Sequence, residues 1–127
     1  MTARQIVSSG SPYEPVIGFS RALRVGDRIM VSGTAPVWPD GTCDPDPAAQ
    51  ARRCWEIIID ALDQCGAGPS EVVRTRTYLT DPADWEAVGR VHGEVMGDAR
   101  PAATMVVASA LLDPRWKVEI EVEAVLD

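Results

Sequence analysis

The chain has 127 residues, 46% apolar and 24% charged, with a formal net charge of −7. That suits one globular domain with a small core. The arginines are scattered among acids, which leaves no basic stripe to neutralise phosphates, so nucleic acid is not an expected partner. No apolar run approaches the about 18 residues of a membrane span, and the opening MTARQIVSSG lacks a leader's apolar stretch, so the chain reads as cytoplasmic with no membrane partner.

In chain order, residues 3–8 read as a short strand, followed by the turn-rich loop SGSPYEP. The segment RALRVGDRIMVSG reads as a hairpin turning at Gly26-Asp27, with Gly33 closing its second strand. A proline-rich loop, PVWPDGTCDPDP, leads to the clearest helix. Asp46 is its expected N-cap and Pro47 its first helical residue. Ala51, Cys54, Ile58, Ala61, Leu62 and Cys65 recur at the three-four spacing of one buried face, and Gly66 or Gly68 ends the helix. EVVRTRTYLT is a β-branched strand. Asp81 and Pro82 open a second helix with Trp85, Val88, Val91 and Val95 as its apolar stripe. Residues 102–109 and 117–125 read as the last two strands, joined through LLDPRW. The order β-β-β-α-β-α-β-β predicts an α+β fold, a mixed sheet with two helices on one face. The other sheet face would be left uncovered, and a homo-oligomer would bury it.

The final strand places Glu119, Glu121 and Glu123 on one face, because successive side chains alternate. Three like charges on one face need an offset. The preceding strand offers Arg74, Arg76 and Tyr78 on one face and Thr75, Thr77 and Leu79 on the other. A charge ladder with the arginines is the reading for Glu121 and Glu123. Glu119, nearest the DPRW turn, is the better candidate for a functional carboxylate, since sites gather at strand ends beside loops. His92, the only histidine, is expected to be a hydrogen-bonded core or interface residue. The three cysteines, Cys43, Cys54 and Cys65, fit no zinc-ligand spacing, and no cofactor or metal is expected. Cys54 and Cys65 read as small buried hydrophobes. No nucleophile elbow, phosphate loop or dinucleotide fingerprint is present.

FSRALRVGDRIMVSGTAP, the block from DPAAQARRCWEIIIDALDQCGAG through TYLTD, and RPAATMVVASALLDPRWKVEIEVEA together resemble the RidA (YjgF) family in order and over nearly the whole chain. The resemblance implies one RidA-like domain over residues 1–127 with a chorismate-mutase-like α+β fold. It also implies a homotrimer with small-molecule pockets at the subunit interfaces and hydrolysis of enamines and imines, chiefly 2-aminoacrylate. Carried over position by position, it implies a pocket containing Phe19 at the lip, Ser32-Gly33 after the second hairpin strand, and Pro114 before the last strand. Glu119 would position or activate the attacking water.

Three positions depart from the deaminating members. Their PAR motif is PAA here, so Ala103 stands where an arginine grips the substrate carboxylate. Gly89 stands for a helix asparagine, and Phe19 for the commoner tyrosine. A methyl group cannot replace a bidentate guanidinium. The pocket is expected to be more apolar and to handle 2-aminoacrylate poorly, with Arg100 or Arg74 as alternative anchors. The expected function is a hydrolase or deaminase of an imine, enamine or related metabolite. The alternatives are a non-catalytic binding or regulatory trimer, or a pathway-specific enzyme of secondary metabolism.

Overall fold

A computed structural model describes residues 3–127; the first two residues of the segment read for a leader lie outside them. Six strands form one sheet: β1 (Arg4–Val7), β2 (Ala22–Val25), β3 (Arg28–Thr34), β4 (Val72–Leu79), β5 (Ala102–Val107) and β6 (Val118–Val125). Their spatial order is β1-β2-β3-β6-β4-β5, antiparallel throughout except for the parallel pair β4/β5. Three α-helices accompany it: α1 (Tyr13–Ile17), α2 (Pro47–Gln64) and α3 (Trp85–Met96). This is the expected mixed α+β sheet. β3 and β4 both run antiparallel to β6, so they are parallel to each other and α2 is the crossover between them. α3 is the crossover from β4 to β5. Both connections step the same way across the sheet, and the shared right hand of such crossovers puts both helices on one face.

The helices form where the sequence directs them. Asp46 accepts a hydrogen bond from the Ala49 amide at 2.9 Å, a cap worth about 1 kcal/mol. Gly66, at φ +84°, turns the chain out of α2. Ala51, Cys54, Ile58, Ala61, Leu62 and Cys65 are all buried against Ile29, Val31, Val118, Ile120 and Val122 of the sheet, within one apolar cluster. Ile58 is completely buried, so truncation to alanine would cost about 2–5 kcal/mol. In the β2–β3 hairpin Val25 pairs with Arg28, leaving Gly26-Asp27 as the turn with only Gly26 at positive φ.

Two expectations need correction. The SGSPYEP stretch is not all loop: Tyr13–Ile17 forms α1, whose Pro15 falls in the first turn, where a missing N–H costs little. Gly18 at φ +87° ends it. Trp85 is not on the buried stripe of α3 but 58% exposed. A 3-10 turn over Pro82–Asp84 delays the α-helix, so Trp85 is its first residue. Helical side chains lean toward the N-terminus, and the first residue has no preceding α-helical turn to lean on. Val88, Val91 and Met96 carry the buried face instead.

Candidate functional site

One cluster forms where β2, β3 and β6 meet. Val31 pairs with Val122 and Thr34 with Ile120, so Ser32 and Gly33 together oppose the single residue Glu121. The extra residue makes a β-bulge, a local kink that re-aims neighbouring side chains. The bulge brings Gly33 against Glu119: a Cβ on Gly33 would stand 2.5 Å from Glu119 Oε2 and 3.1 Å from its Cδ. Only glycine leaves the carboxylate room. Ser32 Oγ donates to the Ser20 carbonyl at 2.6 Å, tying the bulge to the segment before β2.

Arg21 lies beneath this cluster, buried, with Nη2 donating to the Gly33 carbonyl at 2.7 Å and its guanidinium over the Phe19 ring at 5.6 Å. Its Nε is buried without a partner among the described residues. Burial pushes its pKa down, opposed by the charges of Glu14 and Glu119. Glu14 of α1, also buried, accepts from Ser8 Oγ at 2.8 Å and from the Ser9 amide at 3.1 Å. Burial raises the Glu119 pKa above 4.5; Arg21 pulls it back and Glu121 adds to the rise. The half-buried Glu119 carboxylate is thus a stronger base than an exposed glutamate when ionised.

The remaining glutamates follow the ladder reading. Register pairs Glu119 with Tyr78, Glu121 with Arg76 and Glu123 with Arg74. Arg76 Nη1 lies 3.5 Å from Glu121 and 3.9 Å from Glu123, and Tyr78 Oη donates to Glu121. Thr75, Thr77 and Leu79 point to the helix-covered side and are buried, as the alternation predicts.

The other expected site residues lie elsewhere. Gly89 and Ala103 border a separate cleft of about 180 Å³ between α3 and β5, with Thr75, Thr77, His92 and Met105. Ala103 pairs in register with Thr75 and shares its helix-side orientation. Glu119 on β6 stands two strand spacings, roughly 10 Å, from β5, and pairs with Tyr78 on the face opposite Thr75 and Ala103, so one chain does not join this cleft to Glu119. His92 is half-buried: its Nε2 lies 2.8 Å from Thr75 Oγ1 and its ring meets Trp55 edge-on at 5.7 Å. Pro114 is exposed in the turn before β6, and Arg100 is exposed at φ +49°. Arg74 projects from the sheet face opposite Thr75. Cys54 and Cys65 are buried, Cys43 partly exposed, and burial pushes the Cys54 thiol pKa up. Among the described residues no His, Cys, Asp and Glu side chains group as metal ligands, and no helix is long and apolar enough to cross a membrane.

Arg21 and Glu14 escaped the sequence reading. Arg21 immediately precedes an apolar strand and resembles an ordinary solvated flank. The usable signal was Glu119 itself: an acid expected in a pocket calls for a cation, and Arg21 is two residues from Phe19.

The family model described as Endoribonuclease L-PSP matches residues 10–126. The crystal structure of Rv2704 from Mycobacterium tuberculosis, described as a member of the YjgF/YER057c/UK114 family, superposes with a TM-score of 0.90 at 43% identity over 98% of this chain and 100% of that one. The uncharacterized protein SCO2049 of Streptomyces coelicolor is 39% identical over 93% of this chain and 89% of its own. The 3-aminoacrylate deaminase RutC of Acinetobacter baylyi is 30% identical over 91% of each chain. The chain belongs to the RidA (YjgF) family.

Proposed function

We propose that the protein is a small-molecule hydrolase that converts an imine or enamine to a carbonyl compound and ammonia, in a pocket between subunits of a homotrimer. The observation carrying this reading is the Glu119 carboxylate, held half-buried against Gly33 with its pKa raised by desolvation. In the reaction, water adds to the C=N carbon while Glu119 takes its proton. Glu119 passes that proton to nitrogen, completing the carbinolamine; as the C–N bond breaks, the hydroxyl proton is carried through Glu119 to nitrogen, leaving the carbonyl and ammonia. An enamine substrate first takes a proton at carbon to become the imine.

The placement of the two half-sites supports this assembly. Phe19, Ser32, Gly33 and Glu119 gather at one region and Gly89 and Ala103 at another. A head-to-tail ring sets one copy's first region against its neighbour's second, and three copies close it. β5 is an edge strand with Val106 45% and Val107 51% exposed. Such an edge is a liability unless a partner covers it. Family membership and the deaminase name of the RutC relative support the chemistry. The net charge of −7 speaks against RNA as substrate despite the family model's description.

A binding or regulatory trimer without turnover is the second reading. It is favoured by Ala103, Gly89 and Phe19, which offer no polar side-chain atom to a substrate. Ammonia release from a panel of imines and enamines decides between them. Turnover abolished by Glu119→Gln supports the hydrolase; ligand binding without turnover across the panel supports the second reading.

A further inference from the structure

Gly89 and Ala103 border the same cleft, and its polar character comes from Thr75, Thr77, Thr104 and His92. Thr75 is fully buried. The only hydrogen bond of its hydroxyl among the described residues is to His92 Nε2, at 2.8 Å. A buried hydroxyl with no acceptor is costly, so Thr75 donates and Nε2 accepts. Burial lowers the imidazole pKa below 6.5, so the ring is neutral at pH 7 and its one proton sits on Nδ1. Nδ1 has no hydrogen bond among the described residues, and the half-buried ring lines the cleft. The imidazole therefore keeps an uncharged donor for an occupant. No cation lines the cleft: Arg74 and Arg76 leave β4 from the opposite face.

We propose that this cleft binds the head group of the substrate through His92 Nδ1–H, and that the head group is an uncharged acceptor, an amide or ester carbonyl, rather than a carboxylate. A carboxylate entering here would exchange its hydration for neutral donors only, the imidazole and threonine hydroxyls, beside Ala103 and Met105. An amide carbonyl loses far less on entry and is satisfied by the imidazole donor. Assigning the head group to the substrate of Glu119 rests on the hydrolase reading; the donor itself does not.

His92 is the only histidine in the chain, so histidine-labelled protein gives one imidazole whose tautomer is read directly by long-range 1H–15N spectra. The expected result at pH 7.5 is the Nδ1–H tautomer, with the bias lost in Thr75→Val. Pyruvamide and pyruvate then serve as stable carbonyl analogues. Pyruvamide is expected to shift the Nδ1 signal and to bind roughly tenfold more tightly than pyruvate. His92→Phe should lose that preference and Ala103→Arg should reverse it. Thr75→Val, nearly isosteric, carries the test if His92→Phe does not fold. An Nε2–H tautomer, or pyruvate bound as tightly as pyruvamide, overturns the proposal. Glu119→Gln should leave tautomer and preference intact. The predicted tautomer and preference without turnover would sink the hydrolase reading alone; turnover with the wrong tautomer would sink this proposal alone.

Discussion

Gly33→Ala probes the geometry around Glu119 without touching the carboxylate. The added methyl would lie 2.5 Å from Glu119 Oε2, whereas ordinary carbon–oxygen contacts begin near ~3.3 Å. One partner must move by about 0.8 Å. The Glu119 side chain yields more easily than a bulge pinned by Arg21 at the Gly33 carbonyl and by Ser32 at Ser20. Gly33 is exposed and outside the positive-φ set, so alanine fits its backbone and Tm should change little. A displacement approaching 1 Å at a catalytic group costs on the order of 10²-fold. On the proposed hydrolase reading, steady-state ammonia release and thermal melting should therefore show a folded protein with kcat/KM down roughly 10²-fold. In a Glu119→Gln background the same substitution should add little, because both changes act on one group. Unchanged kcat/KM in the single variant would refute the claim that Gly33 sets the carboxylate's working position.

The pH behaviour of Glu119 has a defined sign. Its folded pKa is raised above 4.5, so the folded state favours the protonated acid. That contribution is present below 4.5 and lost as pH rises through the folded pKa. Glu119→Gln should accordingly raise Tm at pH 7, with the gain shrinking toward pH 4, and the acid limb of kcat/KM should fall above pH 4.5 in the wild type. For Ala103, a lost charge-assisted bidentate contact is worth about 2–4 kcal/mol, or ~30- to 1000-fold in kcat/KM. Wild-type protein should be slower on 2-aminoacrylate than arginine-bearing relatives by that range, and Ala103→Arg should recover part of it. Light scattering at micromolar concentration should report three chain masses; a monomer would contradict the proposed trimer and its interface pocket.

Much of this arrangement was legible because local rules and burial agreed. Asp46, Pro47 and the stripe from Ala51 to Cys65 define α2 by capping and period. Alternation in β4 and β6 separated the buried threonines from the charge ladder of Arg76, Glu121 and Glu123. The misses have physical causes. Five residues of α1 are too few to show a helical period, and Trp85 moved to solvent because a 3-10 turn shifted the helix start. The burial of Arg21 and Glu14 depends on contacts between distant segments, which no local pattern encodes. The resemblance implies Gly89, Ala103 and Glu119 as positions of one interface pocket. The separation of these residues within the chain requires the strand order β3-β6-β4-β5, which alternation does not reveal.

The central claim, that Glu119 handles water while Glu121 belongs to the ladder, is tested most directly by comparing kcat/KM of Glu119→Gln and Glu121→Gln on one imine turned over by the wild type. Residues two apart on a strand stand about 7 Å apart, so only one carboxylate can serve the same water. The expected result is a loss of roughly 10²–10⁴-fold in Glu119→Gln and little change in Glu121→Gln, with both proteins folded. Equal losses, or full activity in Glu119→Gln, would contradict it.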